Sequence, residues 1–269
     1  MPPLSPLNRS RRTDRGDQAT KHDLAIAIDD TVGSFANIDL APVADVVLTS
    51  TTKSFSGYAD VMGGSAVLVP GSPAYAALAP AFAAHHRNEV APADAAHLLA
   101  NSADYLARTA VLNRNAAAVV AYLSRRAAEA GSPVTRVLYP TTDAQTRANV
   151  DAFLRRPAAD DEAGAPGYGC LLSLDLASHA AAVAFHDTLP FHGGPHLGAH
   201  RSLKLPFNAT VYGKDPAEAA YHAAYGLLPE QVRISVGLED EAELVEAVAE
   251  AVAAAERALA AEGAAPKTE

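Results

Sequence analysis

Two short β-branched runs, each ending in a cluster of polar side chains, constrain the fold of this chain more than any other feature. Leu24 to Ile28 closes on Asp29, Asp30 and Thr31, and Asp45 to Leu48 runs into Thr49, Ser50, Thr51 and Thr52. Apolar runs this short, without polar alternation, read as buried strands. Val32 to Ala44, between them, is just long enough for the roughly dozen residues of a parallel crossover. If the strands are parallel neighbours, both polar ends leave at one edge, where ligands of open α/β sheets bind. The spacing therefore predicts Asp29 and the segment from Ser50 to Lys53 at one crevice. A third strand is expected at Ser65 to Val69, after Gly63-Gly64.

Farther along, Ala91 to Ala130 has helical spacing and ends at Gly131-Ser132-Pro133, which predicts one long helix or two abutting ones. Val134 to Leu138, Cys170 to Leu174 and Val232 to Val236 read as strands, the first two separated by a Pro-, Gly- and Asp-rich loop from Pro157 to Gly167. Asp240 with Glu243 resembles a capping box for a helix running to about Glu262 and stopped by Gly263. Composition shifts near Asn113. The expected organisation is a partial α/β large domain, mostly parallel sheet with helices, over residues 1–112, and a smaller α+β domain over residues 113–269. The chain contains 61 alanines, so nearly half of its 49% hydrophobic content is methyl groups. The core must come from Val, Leu, Ile and the few aromatics.

The formal charge of −10 repels phosphate backbones and anionic headgroups, which argues against nucleic-acid and membrane-surface partners. No run approaches the roughly 18 apolar residues of a membrane span. Met1 to His22 lacks the apolar core of a secretory signal, and Asp14 and Asp17 argue against a transit segment. A cytoplasmic location is expected. Cys170 stands alone in the sequence, which excludes an intrachain disulfide and a structural Cys-based zinc site.

The densest chemistry is Ser50-Thr51-Thr52-Lys53-Ser54-Phe55-Ser56-Gly57, followed by Asp60 and Val61-Met62-Gly63-Gly64. Hydroxyls after a strand can donate to a phosphate. A lysine beside them, partly desolvated, becomes an imine-forming amine. With Asp29 as a carboxylate for a pyridine nitrogen, these are the elements of a pyridoxal phosphate site. Read without that chemistry, the cluster is a hydroxyl-rich βα turn with an exposed lysine. His192, His196 and His200 fall at four-residue intervals, but Gly193, Gly194 and Pro195 make a metal-binding helix there improbable, and no metal is expected. His85-His86 reads as helix surface.

Ile28-Asp29-Asp30-Thr31, Ser50-Thr51-Thr52-Lys53 with Gly57 and Asp60, and Val61-Met62-Gly63-Gly64 resemble the signature of the Cys/Met-metabolism pyridoxal phosphate enzymes, most nearly cystathionine γ-synthases of the fungal type. Asn101-Ser102-x-Asp104, Asn113-x-Asn115-Ala116, Gly194-Pro195-x-Leu197-Gly198 and Arg233-Ile234-Ser235-Val236-Gly237-Leu238-Glu239 follow in the same order. The resemblance implies a type-I-fold pyridoxal phosphate transferase. It implies Lys53 as the lysine that carries the cofactor and shuttles protons, and Asp29 opposite the pyridinium nitrogen. Ser50 and Thr52 would hold the phosphate, and Arg233 would clamp the substrate α-carboxylate. His196, in His196-Leu197-Gly198, stands where the family has serine in the loop near that carboxylate; the resemblance implies a substrate-binding position, and the departure bears on acceptor specificity.

The resemblance further implies γ-replacement on an O-acylhomoserine by cysteine, with small amino acids as partners and a homo-oligomeric assembly. γ-Elimination, another nucleophile, or an inactive truncated homologue are the alternatives. Met1 to Leu7 is similar to a stretch in the middle of the family's cofactor domain. The family's Gly-rich phosphate turn, ring-stacking tyrosine and Tyr-x-Arg motif are not found, so the chain reads as the C-terminal part of such an enzyme. A sheet without its first strands is expected to expose unpaired edges and apolar faces.

Overall fold

The computed structural model describes residues 21–22, 24–156 and 165–264. The expectations for residues 1–20 and for most of the loop from Pro157 to Gly167 lie outside the described residues. These fall into two compact units, one reaching Val111 and including Ala144–Gly169, the other comprising Leu112–Asp143 and the chain from Cys170 onward.

In the first unit, β1 (Ala27–Asp29), β2 (Val46–Ser50) and β3 (Gly64–Leu68) form a sheet in that order. β1 and β2 are parallel, with Asp29 level with Leu48, as the crossover length predicts. β3 is antiparallel to β2, pairing Val46 with Leu68 and Ser50 with Gly64. The sheet is thus mixed, because the chain after β2 turns back at once instead of crossing over. Asp45 braces the strand starts by accepting from the Ile26 amide at 2.6 Å. Leu48 and Val67 remain 40% and 55% exposed, and no described strand pairs with the outer edges of β1 and β3.

Three helices follow: α1 (Tyr75–His85), α2 (Pro92–Asn101) and α3 (Tyr105–Ala127). The helical texture from Ala91 to Ala130 is therefore two abutting helices, broken at Ser102 to Asp104, and the division between the units falls inside α3. The segment carrying α4 (Ala144–Asp151), expected in the second domain, packs with the first unit. Its backbone pairs there, Asp39 N–H with Phe153 O and Arg155 N–H with Asn37 O, both at 2.7 Å.

The second unit contains a sheet of β4 (Val134–Leu138), β5 (Leu171–Leu176), β6 (His192–Gly193), β7 (Leu203–Leu205) and β8 (Gln231–Ser235), ordered β4-β5-β8-β7-β6. All its pairings are antiparallel except β6 with β7. Its helices include α5 (His179–Thr188), α6 (Phe207–Val211), α7 (Pro216–Ala224) and α8 (Glu241–Ala264). Phe185 on α5 and Leu244, Val248 and Val252 on α8 are almost fully buried with Leu172, Leu174 and Ile234 of the sheet. Ala181, Ala251 and Ala255 are 0% exposed, so here the abundant methyl groups serve close helix approach rather than bulk. Asp240 caps α8 as expected, its Oδ1 accepting from the amides of Ala242 and Glu243. Gly263 does not stop that helix, which continues to Ala264: an exposed glycine costs only about 1 kcal/mol in a helix, too little to end one by itself. No described helix is long and apolar enough to cross a membrane.

Candidate active site

The end of β1 is tied to the end of β2 by a short relay. The Thr31 amide donates to Asp29 Oδ1 at 2.9 Å, and the Thr31 hydroxyl accepts from the Ser50 amide at 2.9 Å. One oxygen of the Asp29 carboxylate is thereby oriented by backbone, and the two strand ends cannot splay. Asp29, Thr31 and Ser50 line an open groove of about 480 Å³, which Leu48, Ala66, Phe82 and His86 continue. Phe82 and His86 stack at 4.7 Å. His86, expected to be helix surface, lies at this groove because α1 returns over β3; its sequence carries no signal for that.

Directly after β2, Thr51–Phe55 forms a π-type turn in which Lys53 takes φ −83° and ψ −131°. Thr52 Oγ1 accepts from the Gly63 amide at 3.0 Å and lies 3.3 Å from the Gly63 carbonyl oxygen. Its hydroxyl thus secures the return of the chain toward β3. The far end of the turn is held by Arg108, which is 5% exposed and donates to Phe55 O at 3.0 Å, Ser56 O at 3.3 Å and Asn101 O at 3.0 Å. Asn101 in turn donates to Ser56 Oγ and to Asp60 Oδ1, each at 2.9 Å. Motifs more than 40 residues apart in sequence therefore meet behind the lysine. Arg108 escapes sequence reading because nothing distinguishes it from the other arginines of an Ala- and Arg-rich helix.

Asp30, next to Asp29, is 3% exposed. Burial first, and the Asp29 charge second, push its carboxyl from its ordinary 3.8 up to about 7. Between roughly pH 4 and 7 the folded chain then binds a proton that the unfolded chain has released, so stability falls as pH rises through that window and levels off above it. Asp30→Asn is expected to flatten this slope, as read by urea midpoints from pH 4 to 8. A slope unchanged by the substitution would show that Asp30 does not titrate there.

The remaining expected residues lie in the second unit. Arg233, on β8, donates through Nη2 to Pro195 O at 2.7 Å and to His196 O at 3.4 Å, and sits 5.1 Å over the Phe207 ring. Burial lowers its pKa, though a guanidinium remains charged. One nitrogen of the guanidinium is thereby spent on the loop. His192 belongs to strand β6, while His196 and His200 lie in the loop after it, so the three histidines do not share a helix. No group of three metal-ligating side chains occurs among the described residues. Cys170 is buried, which raises its thiol pKa.

The structure thus brings Asp29 and Ser50 to one groove and sets Lys53 three residues past Ser50, although Lys53 does not itself line that groove. It commits the Thr52 hydroxyl to Gly63. A carboxylate, a hydroxyl and a lysine at adjoining strand ends suit a pyridine ring bearing a phosphate, so this donor set fits pyridoxal phosphate.

The chain is 37% identical over 248 residues to a cystathionine gamma-synthase-like enzyme of Amanita muscaria, covering 89% of this chain and 39% of that protein. It is 37% identical over 250 residues to an alanine racemase of Aspergillus violaceofuscus, covering 91% and 41%. Among solved structures, cystathionine gamma synthase of Xanthomonas oryzae, in complex with aminoacrylate and cysteine, superposes with a TM-score of 0.74 at 26% identity, over 90% of this chain and 58% of that one. The chain therefore spans about two fifths of the length of these curated relatives. Residues 15–253 match the Cys/Met metabolism PLP-dependent enzyme family, and the chain belongs to it.

Proposed function

We propose that this chain carries the lysine and the substrate-binding arginine of a γ-replacement enzyme that joins an O-acylhomoserine to cysteine, giving cystathionine. The observation that carries this reading is the Asp29-Thr31-Ser50 relay, which holds a carboxylate and a hydroxyl together where the lysine turn begins. Pyridoxal phosphate, when bound, supplies an electron sink that makes the substrate Cα–H acidic. Asp29 would supply a negative charge to the pyridine nitrogen, and Ser50 would donate to the phosphate. Thr52 acts chiefly by fixing the turn, since its hydroxyl already serves Gly63. The Lys53 amine would take the Cα proton and then one Cβ proton as the acyl carboxylate leaves from Cγ; once the cysteine sulfur has bonded to Cγ, the same amine would return protons to Cβ and then Cα, and the thiol proton would leave with the released carboxylic acid. Arg233 grips the α-carboxylate, with His196 beside it. The assembly that suits this reading is a cytoplasmic homo-oligomer.

The racemase relative, matched at the same identity, favours a second reading in which Lys53 moves only the Cα proton of a small amino acid. Protein loaded with pyridoxal phosphate should be assayed with O-acetyl- or O-succinylhomoserine plus cysteine, with cystathionine alone, and with L-alanine in deuterium oxide. Cystathionine formation is expected. Cleavage of cystathionine without condensation would make the protein a lyase, and racemisation of alanine without either would establish the second reading.

A further inference from the structure

The segment Arg233 to Glu239 holds the loop from Pro195 to Ser202 at every second residue. Arg233 reaches Pro195 O. Ser235 Oγ accepts from the Gly198 amide at 2.9 Å. The Gly237 amide donates to Ser202 Oγ at 2.9 Å, and a Cβ on Gly237 would lie only 2.5 Å from the Ser202 nitrogen, so only glycine allows this approach. Glu239 closes the series, accepting from the Ser202 amide at 2.6 Å and from its hydroxyl at 2.9 Å. Between these contacts the Leu238 amide donates to His200 O at 2.9 Å.

The loop is closed at its base by the His192 amide on Ser202 O, and it contains no helix. The base of the clamp is itself anchored by Asn115 of α3, 0% exposed, which donates to Gly237 O at 3.0 Å and Glu239 O at 2.9 Å. Ser202 and Ser235 are each 1% exposed, so their hydrogen bonds do not compete with water and are costly to leave unmade.

We infer that Ser235 and Glu239 are positioning residues: by clamping the Pro195 to Ser202 loop they fix the carbonyls that hold one nitrogen of Arg233, and so set the direction in which its guanidinium meets a carboxylate. This rests on the reading of Arg233 as the carboxylate ligand. It accounts for the alternation of Arg, Ser, Gly and Glu along one segment.

The test reads rotation about the Arg233 Cζ–Nη2 bond by nitrogen-15 exchange spectroscopy on the full chain, which requires neither cofactor nor turnover. Ser235→Ala and Glu239→Gln are each expected to speed that rotation about tenfold, the effect of losing roughly one buried hydrogen bond. Ser202→Ala should exceed Glu239→Gln, because it also removes the acceptor of the Gly237 amide, and the double variant should add little to Ser202→Ala, because the hydroxyl–carboxylate contact is already lost in it. Glu243→Gln, on the first turn of α8, serves as the control and should leave the rotation unchanged. Rotation as slow as in the parent chain in folded Ser235→Ala or Glu239→Gln protein overturns the inference, as does full additivity of Ser202→Ala with Glu239→Gln. The ligand reading is judged separately: if Arg233→Ala leaves the preference of cofactor-loaded protein for glycine over methylamine intact, that reading falls while the rotation data still decide the clamp.

Discussion

Lys53→Ala is expected to abolish covalent attachment of pyridoxal phosphate to the chain and to lower turnover by roughly 10²- to 10⁴-fold through the lost proton transfer alone. The turn that presents Lys53 is held by backbone groups on either side: Thr52 is secured by Gly63, and the carbonyls of Phe55 and Ser56 are secured by Arg108. Borohydride reduction followed by intact-mass measurement gives the answer. The parent chain should gain one reduced cofactor and Lys53→Ala none. Equal labelling of both would show that another lysine forms the imine. Asp29 would then be the first residue to reassign, since its role depends on the lysine opposite.

Gly57→Ala should be the most damaging small substitution in the first unit, destabilising it by about 3 kcal/mol. Gly57 has φ +81°, where a Cβ costs about 1–2 kcal/mol. That Cβ would also lie 2.7 Å from Arg108 Nη1 and 2.9 Å from Arg108 Cζ. The guanidinium cannot yield, because it is buried and bonded to three carbonyls, and each hydrogen bond from a charged group contributes about 1.5–3 kcal/mol. A urea midpoint shifted down with an unchanged slope is the expected outcome. Arg108→Lys should be damaging as well, since an ammonium keeps the charge but loses the fork that spans Phe55, Ser56 and Asn101. An unshifted midpoint for Gly57→Ala would mean that Arg108 does not brace the lysine turn.

Several elements were readable from the sequence because they follow from local rules. The parallel pairing of β1 with β2 follows from a crossover of minimal length, and β4 occupies the expected Val134–Leu138. The Asp240 cap follows from a side chain that can satisfy amides two and three residues on. A misreading arose where a distant partner decides. Ala144–Gly169 joins the first unit through edge pairing with Asn37 and Asp39, residues more than 100 positions earlier. His86 is exposed, as expected, and also borders the open groove.

The division has a physical basis. Residue type, period and motif spacing determined the strands and the family, because strand patterns and motifs are each written in neighbours a few residues apart. Only the tertiary structure decided which hydroxyl is already committed, as for Thr52, which carboxyl has its pKa pushed up by burial, as for Asp30, and which arginine braces the lysine turn, as for Arg108. Those properties depend on exclusion of water and on partners brought from remote segments, and a one-dimensional order of side chains carries neither.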